Sequence, residues 1–380
     1  LRSHNPPLTL DSETVFDTFR VSGVVAVGAH GAKTSSGIMS DQLCSMKIVI
    51  GSGLLGIIYS LTFRVQPMYN LRMTDTYMPV NEWLNPQNIK NLLESSDGIE
   101  IFYWPFNGFN QSDPIPLDPN RDLVWVKSWV RTDDLVSFTP QQLEQLHESQ
   151  RQGEIQQYQL ISSILLQNPE ATPNITATMW DGLISSGNTS FVFQAPDAFH
   201  YVASEESVKI DLFEIGFKVD PDFSNVVAEF SNLYEFAAQG KFPVNYIAEF
   251  RIIKSSKALL STAFDLDPEA LYCQIDIVTA LAQRLFDKYK AKPHWAKKWE
   301  FIPNVDSYLS DVLSDQIKQF EEVRAKHDPD KIFFDNKSLQ NIFSRTLGSQ
   351  NNKNSKKKKI NGNIKISLRP NNIELVNRIL

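Results

Sequence analysis

The nine residues Asn245-Tyr-Ile-Ala-Glu-Phe-Arg-Ile-Ile253 constrain the fold more than any other stretch. Tyr246, Ala248, Phe250 and Ile252 fall on one face of an extended segment, Glu249 and Arg251 on the other. Such a strand belongs in a sheet with one apolar face and one polar face. β-branched and aromatic runs recur at Glu100–Trp104, Asp122–Val130, Val208–Val219 and Leu271–Ile277, each bounded by Pro, Asn, Asp or Gly. Helical periods lie between and after them. Thr139-Pro-Gln-Gln142 starts one helix with a capping box. Another passes through Ala282, Leu285 and Phe286, and a last one carries Leu309, Leu313, Ile317 and Phe320 before Pro329. The expected class is α+β.

The first sixty-odd residues read differently. Val21-Ser-Gly-Val-Val-Ala-Val-Gly-Ala-His-Gly31 is a small apolar run, taken as a strand, breaking into a turn that holds Gly28, His30 and Gly31. Glycines at this density let main-chain N–H groups approach a flat or anionic ligand. Ala32 separates Gly31 from Lys33, so the phosphate-loop order Gly-Lys-Ser/Thr is absent. Gln42–Ile50 and Ile57–Val65 read as strands around a second glycine-rich turn, Gly51–Gly56. These residues together suggest a sheet with turns built for close backbone approach.

Charge narrows the partners. The formal charge is −7, yet the segment from Gln350 carries Lys353, Lys356, Lys357, Lys358, Lys359, Lys365, Arg369 and Arg378 against Glu374. Its surplus of seven positive charges leaves −14 on the remainder. An acidic body argues against nucleic acid as a partner, and the tail has the composition of a solvated, disordered segment. No apolar run reaches the roughly 20 residues that span a bilayer. The two cysteines and six scattered histidines form no disulfide framework and no metal-ligand spacing, so no metal is expected. The sequons at Asn110, Asn174, Asn188 and Asn336 matter only in a secreted protein.

Two constellations carry chemistry. Glu249 and Arg251, side by side on a sheet face, can hold a polyol or lactone, because a guanidinium donates to ring and carbonyl oxygens while a carboxylate accepts hydroxyl protons. A cross-strand ion pair on an exposed face fits the same residues. Pro293-His-Trp-Ala-Lys297 places His294 and Lys297 close together. A lysine there can stabilise an anion and a histidine can exchange protons, although incidental charges after a Lys-rich helix end would look alike.

The glycine turn, Asp41-Gln42, Met46-Lys-Ile-Val49 and Gly53 to Val65 together resemble the second half of the FAD-binding domain of the vanillyl-alcohol-oxidase superfamily. Glu249-Phe-Arg251, Leu260-Ser261, Pro293 to Lys297, Phe320 to Pro329, Phe333, Asn336, Leu339 and Phe343 resemble its sugar-lactone oxidase branch, which includes D-arabinono-1,4-lactone oxidase, L-gulonolactone oxidase and alditol oxidase. The resemblance implies a partial PCMH-type FAD-binding domain over residues 1–67. An antiparallel-sheet substrate domain flanked by helices follows over 68–345, and then a basic tail over 346–380. It implies FAD held by Gly23, Gly28, His30, Gly31, Ile57 and Ile58. Glu249 and Arg251 would orient substrate, with Lys297 at the flavin N1/C2 end and His294 beside it. The reaction implied is oxidation of a sugar lactone or polyol, with hydride passing to flavin N5 and O2 reoxidising the flavin to H2O2.

The sequence departs from that pattern in three ways. The half of the cofactor domain that grips the pyrophosphate would precede Leu1, a segment between Ile50 and Gly51 is short, and Ala29 and Ala32 stand where hydroxyl residues are frequent. A cofactor-deficient fragment, or an oxidase of another carbohydrate or alcohol, therefore stands as the alternative. Covalent flavin attachment is not supported, and membrane association and compartment are left open.

Overall fold

The computed structural model describes residues 1–348 except 17–18, 49–54, 56–57, 110–116, 161–162, 165–166, 184–186, 201–212, 241–246, 277–281, 332–333 and 335. The strands are β1 (Leu8–Thr9), β2 (Leu43–Ile48), β3 (Ile58–Phe63), β4 (Gln66–Pro67), β5 (Asn70–Pro79), β6 (Gly98–Tyr103), β7 (Leu123–Thr132), β8 (Thr189–Gln194), β9 (Glu214–Lys218), β10 (Ala248–Lys254), β11 (Leu271–Asp276) and β12 (Lys292–Pro293). The helices are α1 (Val21–Ala26), α2 (Val80–Trp83), α3 (Pro86–Glu94), α4 (Pro140–Leu160), α5 (Thr172–Leu183), α6 (Ala195–Phe199), α7 (Ser224–Ala238), α8 (Ala282–Tyr289), α9 (Val305–Val312), α10 (Ser314–His327) and α11 (Lys337–Leu347).

Eight strands form one antiparallel sheet in the order β12-β9-β11-β10-β6-β7-β5-β8. Alternation assigns its faces. Ile99, Ile101, Tyr103, Val124, Val126, Ile215, Phe217, Ala248, Phe250, Ile252, Cys273 and Ile275 enter the main core. Val226, Phe230 and Leu233 of α7, Leu285 and Phe286 of α8, and Leu309, Ile317 and Phe343 from the last helices share that core. The aromatic groups set its interior: Phe230 lies 4.9 Å from Tyr103 and 5.5 Å from Phe250 between ring centroids. The opposite face carries the polar residues.

Three sequence expectations change. Val21–Ala26 is a helix rather than a strand: Val24 and Val25 are buried while Val21, Ser22, Gly23 and Ala26 are exposed, a helical spacing. Gly28 stops it at φ 67°, where Gly28 N–H donates to Val25 O and Ala29 N–H to Val24 O, the reciprocal pair of a Schellman ending. Among the described residues, those before 68 form two separate two-stranded sheets, β1 with β4 and β2 with β3, instead of one larger sheet. The periodic run from Leu309 to Phe320 is broken at Leu313, which ends α9 and begins α10. At Thr139 the expected capping box forms: Gln142 Oε1 accepts from the Thr139 N–H at 2.9 Å and Thr139 Oγ1 from the Gln142 N–H at 3.3 Å. Asn336, in one sequon, caps α11 by accepting from Leu339 N–H.

No helix among the described residues is long and apolar enough to cross a membrane. The tail from Gln350, Ile57, Phe333 and most of the Gly51–Gly56 turn lie outside the described residues, as do the parts of the two strand expectations covering 208–212 and 245–246.

Candidate functional site

Register places the polar face in two neighbouring rows. In the first, Lys127, Glu100, Arg251, Gln274 and Gly216 stand abreast on successive strands. In the second, Trp125, Phe102, Glu249, Asp276 and Glu214 do the same. Three carboxylates on adjacent strands, directly opposite one another, would repel strongly in a dry environment.

Arg251 is the main answer to that repulsion. Its Nη2 donates to Asp276 Oδ2 at 2.8 Å and lies 3.4 Å from Glu214 Oε2, and its Nε lies 3.2 Å from Glu249 Oε1. The Arg251 side chain is 5% exposed, so it is a buried cation surrounded by anions rather than a solvated surface pair. Lys297, 23% exposed, adds a second positive charge 3.7 Å from Asp276 and 3.8 Å from Glu214.

A further partner of Glu214 comes from the glycine turn. His30 Nε2 lies 2.5 Å from Glu214 Oε1, and His30 Nδ1 lies 2.9 Å from Gly31 O. The turn is therefore clasped to β9 across 184 residues of sequence. Close packing fixes it: a Cβ on Gly31 would sit 2.2 Å from Glu13 O, whereas Gly23 faces open space and a Cβ on Gly28 would meet Ile38 at 3.4 Å. Ile58 opens β3 and packs on the Val25, Leu43 and Met46 cluster. The structure thus brings His30, Glu249, Arg251, His294 and Lys297 into one region, and leaves Gly23 and Ile58 in the small N-terminal layer.

Electrostatics sorts the acids. Burial pushes Glu214 up, but His30 and Arg251 outweigh it and hold the carboxyl well below the usual range. Burial pushes Glu249 up to about 8 against the pull of Arg251. Burial, then the charge of Glu214, raises Asp276. His294 is driven down to about 4, chiefly by burial. Its Nδ1 accepts from the Ala296 N–H at 3.2 Å, which puts the neutral ring's proton on Nε2. This ring can donate toward the site, and its centroid lies 5.9 Å from that of His30.

Sequence reasoning missed Glu214, Gln274 and Asp276. The signal was present in Phe213-Glu-Ile-Gly-Phe217 and Tyr272-Cys-Gln-Ile-Asp276, where polar residues alternate with core residues as at Glu249 and Arg251. Gln274 is fully buried, and neither its Oε1 nor its Nε2 has a hydrogen-bond partner. It lies against Gly216, where a Cβ would come within 2.4 Å of its amide oxygen. Asp276 Oδ1 is likewise buried without a hydrogen-bond partner, whereas Glu249 Oε1 and Arg251 Nε, which also lack one, meet each other as an ion pair at 3.2 Å. Buried polar atoms left open in this way are costly, and the three on one sheet face, two of Gln274 and one of Asp276, make it the candidate place for a polar ligand.

His30, Glu214 and His294 bring their ligand atoms within 4.8 Å of one another, a grouping no sequence spacing revealed. Arg251 and Lys297 crowd Glu214, and the Ala296 N–H occupies His294 Nδ1. The three are joined through hydrogen bonds and charge, and two cations beside the carboxylate oppose a metal ion there.

Residues 61–342 match the family model of D-arabinono-1,4-lactone oxidase. The chain belongs to that family. The matched region contains Glu249, Arg251, Asp276, His294 and Lys297, and leaves out the turn with His30. The D-arabinono-1,4-lactone oxidase of Saccharomyces cerevisiae (strain ATCC 204508 / S288c) is 27% identical over 108 residues, which is 23% of this chain and 20% of the relative. The chain thus spans about a fifth of the length of that curated relative. Cholesterol oxidase from B. sterolicum superposes with a TM-score of 0.66 at 16% identity, over 89% of this chain and 77% of that one. A solvent-stable cholesterol oxidase gives 0.61 at 14% identity, over 89% and 78%. At these identities the likeness establishes the mixed helix and antiparallel-sheet fold. The family is one of FAD-dependent oxidoreductases.

Proposed function

We propose that this chain is an FAD-dependent oxidase acting on a CH–OH group of a sugar lactone or polyol, with O2 as electron acceptor. The observation that supports it most is Arg251, a buried guanidinium among three acidic side chains and directly opposite an amide with no hydrogen-bond partner. The residues fit the reacting end of a flavin: Lys297 offers a partly exposed ammonium and His294 an N–H. Lys297 and His294 would hold the ring, and bound FAD supplies a two-electron oxidant.

The chain's own groups do the rest. Arg251 orients the carbonyl or hydroxyl oxygens of the substrate through charge-assisted donation. Glu249, protonated below about pH 8, donates one hydrogen bond and accepts another. Asp276 Oδ1, without a hydrogen bond of its own and more basic than an ordinary aspartate, takes the hydroxyl proton of the alcohol being oxidised. His294 donates from Nε2 and Lys297 balances negative charge at the rim.

The test is the flavin absorption band of the purified chain after FAD addition, followed by lactone-dependent bleaching without oxygen. Arg251→Ala should lower kcat/KM by roughly 10- to 150-fold, since a charged hydrogen bond is worth about 1.5–3 kcal/mol. An unchanged kcat/KM refutes the site. A chain that binds lactone and takes up no flavin would be the cofactor-deficient form.

A further inference from the structure

Lys292, on the edge strand β12, stands apart from the other cations of the polar face. Lys127, Arg251 and Lys297 each face an acidic side chain, and Lys218 on β9 meets Asp265 at 2.7 Å. Lys292 has no carboxylate within ion-pair reach among the described residues. Its ammonium donates one long hydrogen bond, 3.4 Å to Phe264 O, and lies 5.8 and 5.7 Å from the ring centroids of Phe264 and Tyr272. That carbonyl already accepts from the Tyr272 hydroxyl at 3.0 Å. Burial lowers the Lys292 ammonium from an ordinary 10.5 to about 8, against the attraction of Asp265. The residue is nonetheless half-buried rather than enclosed. Register extends the first polar row past Gly216 to Lys292, so that it runs Arg251, Gln274, Gly216, Lys292. Gln274 lies across Gly216 with its amide unpartnered. An amine and an open amide thus converge on one strand, β9, from its two sides.

We infer that Lys292 is a nucleophilic modification site that takes up a sugar lactone as a stable amide, with the Gln274 amide N–H donating to the carbonyl oxygen under attack. The inference rests on the lactone reading for its electrophile. A lactone is a cyclic ester. The neutral amine attacks the carbonyl carbon, the Nζ–C bond forms, and the bond from that carbon to the ring oxygen breaks. The proton lost by the nitrogen passes to the freed ring oxygen, which becomes a hydroxyl, so nothing is expelled and no oxidant or other reactant is consumed. Lysines held out of water act as nucleophiles near neutral pH because their amine gives up its proton readily. The charged groups around this one are Lys218 on β9 and Asp265 in the loop before β11, beside the Tyr272 hydroxyl. A preorganised N–H stabilises a developing oxyanion, and Gln274 Nε2 has no other acceptor. Burial lowers Lys127 too, yet that residue is buried outright and faces Glu100. The amide would replace a cation with an uncharged polyhydroxy chain on the face that carries Arg251.

The test incubates the purified full chain with D-arabinono-1,4-lactone near pH 8, where the Lys292 amine is about half neutral, with oxygen excluded so that oxidation does not consume the lactone. Peptide mass spectrometry then maps the adducts. The expected adduct adds the whole mass of one lactone at Lys292 and forms at least about tenfold faster than at exposed Lys257. Gln274→Met keeps the shape and removes the amide; it should slow the Lys292 adduct about tenfold or more and leave Lys257 unchanged. Labelling spread evenly over the exposed lysines overturns the inference. An unchanged Lys292 rate in Gln274→Met, folded by circular dichroism, overturns it as well. If that variant does not fold, the wild-type map still decides. Either failure leaves the proposed oxidase standing, because flavin bleaching is read separately. A Lys292 adduct in a chain whose flavin the lactone does not bleach sinks the oxidase reading alone.

Discussion

Replacing Glu249 with Gln should flatten the dependence of folding stability on pH. The Glu249 carboxyl stands in the row with Asp276 and Glu214 and is 14% exposed; burial moves it from an ordinary 4.5 up to about 8. An acid raised in this way binds its proton more tightly in the folded chain than in the unfolded one. Its contribution is therefore complete below about pH 4.5, and it is lost as pH rises through about 8. Each tenfold gain in proton affinity corresponds to about 1.4 kcal/mol. Glu249 titrating alone would give on the order of 4–5 kcal/mol, and roughly half that once the proton is shared with Asp276 and Glu214. Gln has nearly the same shape and no charge at any pH. Urea unfolding followed by tryptophan fluorescence should show the wild-type chain losing about 2–5 kcal/mol between about pH 5 and pH 8.5. The variant should lose clearly less and become the more stable protein at the alkaline end. Parallel curves for the two would refute the argument that burial dominates at this carboxyl.

Other outcomes follow from the same geometry. Gly31→Ala places a methyl 2.2 Å from Glu13 O, so the turn or the Ser12–Glu13 segment must move; a loss of about 1–3 kcal/mol in urea unfolding is expected, and an unchanged midpoint would contradict the close approach. Gly28→Ala forces an L side chain into φ 67° and should cost about 1 kcal/mol, read as a lower thermal midpoint. Phe230→Ala empties a position among Tyr103, Phe250 and Trp83 and should cost about 3–5 kcal/mol; a loss below about 1 kcal/mol would mean the core there is loose.

The period-two alternation made the sheet legible. Glu249 and Arg251 could be put on one face with Phe250 on the other because a strand leaves side chains nowhere else to point. The assembly of the site was less legible. Glu214 and Asp276 come beside Glu249 only through the strand order β9-β11-β10, and pairing between distant strands is not written in any one segment. His30 illustrates the limit: its glycine neighbours suggested a ligand-facing turn, while its own ring reaches Glu214. The helix at Val21–Ala26 was missed because six apolar and small residues carry too little periodicity to separate helix from strand. Gly28 looked like a cradle and is the stop signal of that helix.

The five residues of β9 carry two obligations at once. Glu214 answers the histidine of the turn, and two positions on, Gly216 must remain without a side chain so that Gln274 can lie across it. A designer wishing to change ligand preference has more freedom at Gln274, which lies on β11 one row away from the clasp between His30 and Glu214. Any change in β9 instead propagates in two directions, loosening the N-terminal layer on one side and tilting the amide on the other. Residues 30, 214 and 216 must therefore be redesigned as a unit.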